Sequence, residues 1–354
     1  MADRTEGHSV YVALRDLRAA RGRFALITAV VVLVALLVSF LSGLTAGLGH
    51  QNISAPSQIA AERVVFADGG SGPSYDESSL TGDQIAQWRS DAETVDPIGL
   101  TRGQAGVDGG AEATVALLGA NGGFDRPLPE AGTVLLSEGA ATDLGASAGD
   151  TARIGDATYT VAGVGGDDWF SHSPVVWMAL EDWQHANPRG GDATVLAVSG
   201  VTDEDAANAA ADTVATSVTG SFEGIASYQA ENMSLSLMTT MLFAISALVI
   251  GAFFTVWTVQ RTPDIATLKA LGATTGSLVR DALGQAFVIL VLGVALGIGL
   301  TTAFAVFAGG ALPFVVDVST TLVPGAALVG LGLVGAAFAL RFLVTTDPLT
   351  ALDR

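Results

Sequence analysis

The sequence predicts a membrane α-helical protein, four transmembrane helices with one α+β extracytoplasmic domain between the first and second. Three observations predict this class. Half of the 354 residues are hydrophobic, only 14% are charged, and the mean hydropathy is +0.50, too apolar for a soluble chain of this length. Four apolar runs, at 24–48, 233–259, 283–308 and 322–344, reach the ~20 residues that a bilayer crossing requires. Ten of the 16 Lys and Arg fall in 1–24, 260–282 and 341–354. By the positive-inside rule both termini and the 260–282 loop are cytoplasmic, in a multi-pass protein of the cell membrane.

The formal charge of −19 is therefore split, about +3 inside and −22 outside and in the spans, so the acidity belongs to the extracytoplasmic domain and says nothing about nucleic acid. The chain has no cysteine, which excludes disulfides and thiolate metal sites.

The elements follow in chain order. Residues 1–23 contain "SVYVALRDLRAARGR", with Val10, Ala13, Leu14 and Leu17 on one helical face and Arg15, Arg18 and Arg21 elsewhere. Ser9 is placed to cap it. The segment reads either as an amphipathic helix on the inner leaflet or as a basic anchor for the first span. That span has an apolar core of ~24 residues, beyond the 7–15 of a signal peptide, so it is retained. In it Ser39, Gly43 and Gly47 recur every four residues, a spacing that lets helix backbones approach closely.

Residues 49–232 form the extracytoplasmic domain. "GTVLLSEGAATDLGASAGDTARIGDATYTVAGVGG" predicts a strand, a short helix through Ala140–Leu144, and two strands meeting at Gly155-Asp156. "SPVVWMALEDWQHA" predicts another strand and helix, and "DATVLAVSG" with "DEDAANAAADTVATSV" repeats that order. Gly69–Ser79 reads as an exposed loop, Asp167-Asp168 as a solvated pair at a strand end, and Asp317, in the 309–321 outer loop, as interfacial.

The cytoplasmic piece 260–282, "QRTPDIATLKALGATTGSLVRD", has clear local chemistry. Thr262 suits an N-cap, Pro263 the first helical position, and Asp264 the positive end of the helix dipole. Lys269 lies near the C-terminal end and Gly272 terminates the helix. Ile265, Leu268 and Leu271 form an apolar stripe, suited to docking a cytoplasmic partner or to a plain capped connector. Span four leads into a tail at 345–354.

At the top of span two, "ENMSLSLMTTMLF" holds three of the four methionines that follow the initiator. At helical spacing Glu231, Ser234, Met238, Met241 and Ile245 share a face, with Met233 off it. Three readings remain open: an adaptable helix seam, a surface for lipophilic substrates, or a haem site. Met sulfur is a recognised ligand of haem iron, so Met238, Met241 or Glu231 would ligate it. His50 and Tyr228 lie at the same depth and are weaker candidates. His172 and His185 show no metal-ligand spacing and are assigned no site. No nucleophile elbow or HExxH pattern occurs, so no enzyme is predicted.

"RTPDIATLKALGAT" resembles the loop of FtsX-like permeases, the MacB-type ABC transporter subunits, with Asp264 where the family commonly has Glu. "ALRDLRAARGRFALI", "TTDPLTALDR" and the strand-helix-strand run of the domain are similar to theirs as well. The resemblance implies a homodimer served by two copies of a separate ATPase. It makes Thr262, Asp264, Ile265, Leu268, Lys269, Leu271 and Gly272 the ATPase coupling helix. In size and layout the chain is most similar to the haem-exporting permeases (HrtB type). That implies haem as the transported ligand, no intrinsic cofactor, and ATP bound by the partner. The residues agree on the last point: a P-loop needs Gly-Lys-Ser/Thr, and the single lysine, Lys269, follows Leu268. A non-transporting signal relay and the export of a peptide or lipophilic drug are the alternatives.

Overall fold

The computed structural model describes residues 21–107, 111–262, 267–269, 271–308 and 312–344. The amphipathic segment, the tail, Asp264 and Ile265 lie outside the described residues. The chain divides into two compact units, Leu48–Ser234 and a membrane unit of Met1–Gly47 with Leu235–Arg354. Among the described residues the helices, in chain order, are α1 (Arg21–Ile53), α2 (Gly82–Asp91), α3 (Glu138–Leu144), α4 (Leu180–Ala186) and α5 (Glu204–Ala211). They continue with α6 (Ala226–Gln260), α7 (Thr275–Ala308) and α8 (Val318–Val344). Four of them, α1, α6, α7 and α8, are long and apolar enough to cross a membrane.

All four outrun the predicted spans. Helix α1 continues to Ile53 and α7 starts at Thr275, because hydropathy marks the bilayer core while the helical hydrogen bonds carry on into polar sequence.

The membrane unit packs through small residues, as apolar surroundings demand. A Cβ on Gly297 of α7 would lie 2.6 Å from the Ala35 Cβ of α1 and 2.8 Å from the Val32 carbonyl. A Cβ on Gly293 would meet Val31 at 2.6 Å. Thr301 Oγ1 donates across the same seam to the Leu36 carbonyl at 3.3 Å. Gly251 of α6 and Gly335 of α8 touch backbone to backbone. Around these contacts Ile27, Val31, Phe254, Leu290, Leu328 and Leu340 form one buried cluster.

The predicted small-residue ladder of α1 takes a different partner. Gly43 and Gly47 receive not a helix but the chain segment before α8. The Phe314 ring covers Gly43, the Pro313 carbonyl covers Gly47, and Val315 N–H donates to the Gly43 carbonyl at 3.1 Å. Ser39 is buried in α1, with no hydrogen-bond partner among the described residues.

The other unit is built on a ten-stranded sheet. Its strands are β1 (Arg63–Ala67), β2 (Thr94–Val107), β3 (Glu112–Ala120), β4 (Thr133–Leu136) and β5 (Thr151–Ile154). They continue with β6 (Ala157–Val164), β7 (Trp169–Phe170), β8 (Ser173–Met178), β9 (Val195–Ser199) and β10 (Thr213–Thr216). The order is β10-β1-β9-β2-β3-β8-β4-β6-β5, with β7 on β8 and β5 returning to β2. Strand β2 makes this possible by its length. Its first half, Thr94–Ile98, pairs β9, and its last residues, Ala105–Val107, pair β5. Six strands thus close on themselves and lose their free edges, while β9, β1 and β10 extend as an open wing.

Every element predicted for this domain is present: β4, α3, the β5–β6 hairpin, β8 with α4, and β9 with α5. Local chemistry accounts for them. Gly155 turns the hairpin at φ +59. Ser137 and Asp203 accept the N–H groups of Ala140 and Ala206 as N-caps of α3 and α5.

Two expectations are corrected. In the predicted exposed loop, Tyr75 is buried, donates to Ser221 Oγ at 3.0 Å and packs edge-on against Phe66 and Phe170. Burial raises its pKa. Of the supposed solvated pair only Asp167 is exposed. Asp168 is buried, and Arg126, lodged over the Trp177 ring, brings its guanidinium to the Asp168 carboxylate at 2.6 Å.

Candidate functional site

Three chain segments meet within the Leu48–Ser234 unit: the last turns of α1, the first turns of α6, and residues 167–172. Backbone hydrogen bonds lace the third to the first. Ala55 N–H reaches the Trp169 carbonyl at 3.0 Å, Ser171 N–H the Asn52 carbonyl at 3.1 Å, and His172 N–H the Gln51 carbonyl at 2.9 Å. Ser171 and His172 hold φ of 47 and 61, uncommon for residues with a Cβ, which turns the His172 ring toward α6.

There His172 Nε2 lies 2.8 Å from Glu231 Oε1. Asn52 Nδ2, on a side chain 1% exposed, donates to Glu231 Oε2 at 3.0 Å and to the Leu48 carbonyl at 3.0 Å. Asn52 Nδ2 is also 3.2 Å from His172 Nε2. Both hydrogens of Nδ2 are committed and Nε2 must donate to the carboxylate, so this last approach is a contact between donors. Ser227 of α6 closes the cluster by donating to Asn52 Oδ1. His50 Nε2 turns away to the Asp167 carboxylate at 3.0 Å.

The predicted residues separate along α6. Glu231 is held by two donors on a half-buried pair, a fixed anionic acceptor beside an imidazole. Met233, Met238 and Met241 are 71, 54 and 58% exposed, with Leu237, Ile245 and Leu248 exposed on the same helix. Within one chain these thioethers therefore fill no seam. They are available to lipid, a second chain or a ligand. Tyr228 packs edge-on against Phe222, and His185 Nδ1 bonds the Glu181 carbonyl; among the described residues neither side chain hydrogen-bonds to this cluster.

Sequence reasoning gave no role to His172 or Asn52. Their partner Glu231 is 59 and 179 residues distant, and no local spacing joins them.

In the 260–282 segment, Leu271 N–H bonds the Thr267 carbonyl, Gly272 N–H the Lys269 carbonyl and Ala273 N–H the Leu268 carbonyl. With Gly272 at φ +96, that is a left-handed helix stop. Leu268 and Leu271 project outward, 46 and 79% exposed. Thr262 Oγ1 donates back to the Thr258 carbonyl at 3.4 Å. Nearby, Arg261 of the membrane unit donates to Gln285 of α7 at 2.7 Å, and Gln285 to Asp281 at 2.9 Å, which joins the exit of α6 to α7.

Comparison with known proteins supplies the context. The family model for the MacB-like periplasmic core domain matches residues 25–215, and that for the FtsX-like permease C-terminal region matches 236–348. Two Staphylococcus epidermidis proteins carrying the provisional name hemin transport system permease protein HrtB are 26% identical, over 96% of this chain and 98% of theirs. A Staphylococcus haemolyticus protein of the same name is 25% identical over the same shares. Among solved structures, the periplasmic region of MacB from Actinobacillus actinomycetemcomitans is 15% identical. It covers 48% of this chain and 94% of its own, with a TM-score of 0.35. The extracellular domain of the transporter YknZ from Gram-positive bacteria is 13% identical over 43% of this chain and 87% of its own, with a TM-score of 0.30.

Proposed function

This chain belongs to the MacB-like, FtsX-like family of ABC transporter permeases, and from that premise we propose that it exports haem. The observation that carries the reading is the end-to-end likeness to relatives named for hemin transport, over 96% of this chain. The chemistry of α6 supports it. Exposed Met238 and Met241 offer soft sulfur ligands to iron, Met233 and Leu237 offer apolar surface to a macrocycle, and Glu231 offers a carboxylate. His172 and Asn52 hold that carboxylate in place.

By likeness to its family the chain works as a homodimer, and two copies of a separate cytoplasmic ATPase bind the ATP, since Lys269, the one lysine of this chain, is not part of a P-loop. The exposed Leu268 and Leu271 seat in the ATPase. ATP-driven closure of the dimer then expels haem taken from the membrane at the Met face. With Gly43 and Gly47 already covered by Pro313 and Phe314, the cleft is lined by α6 rather than by the glycine face of α1.

Titration of haem into the purified permease, followed by absorption spectroscopy, tests the reading. A shifted Soret band is expected in the wild type, weakened in Met238→Ala, Met241→Ala or Glu231→Ala. No shift in the wild type would remove haem as the substrate. It would leave export of a peptide or lipophilic drug, or a signal relay without transport.

A further inference from the structure

A second binding feature lies at the other end of the membrane unit. Helices α7 and α8 leave between them a groove of about 560 Å³. Arg280 stands at its mouth, Gly284 and Phe287 line the α7 wall, and Leu333 and Ala337 line the α8 wall. Arg280 and Phe287 are seven residues apart on α7, so the groove runs ~10 Å along the helix. Gly284 shapes it: a Cβ there would meet nothing within 4 Å, so the missing side chain leaves open space rather than a helix contact.

The Arg280 guanidinium is exposed and makes no hydrogen bond or ion pair with any described residue. Its neighbour Asp281 is engaged by Gln285 at 2.9 Å. A strip of apolar surface on two membrane-crossing helices, with a cation at its end that no described residue pairs, has the charge and polarity pattern of a single amphiphile. The amphiphile has an anionic head and a hydrocarbon tail.

We propose that this groove is a binding site for an anionic phospholipid of the cytoplasmic leaflet. The headgroup phosphate takes the Arg280 guanidinium, and an acyl chain lies along Gly284 toward Phe287 and Ala337. Guanidinium presents paired donors that match phosphate oxygens, and among the described residues no carboxylate is bonded to them. The assignment needs only that α7 and α8 cross the membrane with Arg280 on the basic side. It is independent of haem as the substrate.

Native mass spectrometry of the delipidated full-length permease, titrated with phosphatidylglycerol or phosphatidylcholine, tests the site. The wild type should retain phosphatidylglycerol in preference, and Arg280→Ala should reduce that preference ~5-fold, the effect of one basic residue near a membrane surface. Gly284→Leu, which enters open space and leaves the fold intact, should lower retention of phosphatidylglycerol by filling the groove. Equal retention of the two lipids by the wild type would overturn the proposal, as would an unchanged preference in Arg280→Ala. It is also overturned if millimolar inorganic phosphate displaces phosphatidylglycerol while Gly284→Leu does nothing, because the site would then hold a bare anion. The same follows if Gly284→Leu blocks haem binding but spares the lipid.

Discussion

Arg126→Ala is the substitution whose cost can be worked most fully from the structure. The Asp168 carboxylate is 6% exposed and receives three donors: Arg126 at 2.6 Å, Gln58 Nε2 at 2.7 Å and Trp177 Nε1 at 2.9 Å. Removing one partner of a buried pair costs ~3–5 kcal/mol, because it strands the other charge. Two donors remain on Asp168, and the Arg126 side chain is itself 22% exposed, so the cost falls to ~2–3 kcal/mol. That figure includes the guanidinium stacked 4.3 Å from the Trp177 ring. For a domain of this size each kcal/mol moves the melting temperature by ~2–4 °C, so the apparent Tm should drop by ~4–12 °C. Tryptophan fluorescence of the purified chain reads the transition directly, since Trp177 is in the network. Arg126→Ala with Asp168→Asn should melt higher than Arg126→Ala alone, because no unpaired charge is then buried. A drop under ~1 °C, or a double variant no better than the single, would refute the role of Arg126 in neutralising the buried Asp168. The change also has a functional reading: Asp168 precedes the strand-like run that carries His172, so loosening it should loosen the hold on Glu231.

Gly297→Val should destabilise the α1–α7 seam by ~1–3 kcal/mol, since its Cβ would meet backbone atoms of Val32 and Leu36 that cannot rotate away. Gly299→Val, with nothing within 4 Å, is the neutral control in the same detergent-stability assay. Leu268→Asp should abolish co-purification of the ATPase while membrane insertion is unchanged; normal co-purification would remove the docking role. Asp317 receives Ser319 Oγ–H at 2.7 Å and Thr320 N–H at 2.8 Å, and these donors lower its pKa. A lowered folded value means its stabilisation is full above the unfolded carboxylate range and lost as pH falls through the folded value. The Tm difference between wild type and Asp317→Ala should therefore shrink on acidification from pH 7, and a difference that grew would contradict the sign.

Much of the fold was legible because its signals are local. Hydropathy marks the four long helices, and turn glycines with Ser and Asp caps mark the strands and helices from Thr133 to Ala211. The β2–β3 pair was not legible, and Trp183 is the reason. Gly99 and Gly119 are cross-strand partners, and the Trp183 side chain lies so close over both that a Cβ on either would fall within 2.2 Å of it, against the ring at Gly99 and against the Trp183 Cβ at Gly119. Glycines that a distant tryptophan requires interrupt the alternation by which strands are recognised. In β3 both faces are buried, Val115 and Leu117 in one cluster, Ala116 and Leu118 in another, which leaves no alternation to read. The candidate site was half legible for the same cause. The Glu231 and methionine pattern follows from helical spacing, whereas His172 and Asn52 reach Glu231 only through the tertiary fold.

Haem-dependent ATP hydrolysis by the permease and its ATPase, reconstituted together in nanodiscs, tests the central claim most directly. Export of haem through the α6 face predicts that haem stimulates hydrolysis in the wild type. In Met238→Ala/Met241→Ala the basal rate should persist while the stimulation is lost. Hydrolysis indifferent to haem in the wild type, or equally stimulated in the double variant, would contradict the account.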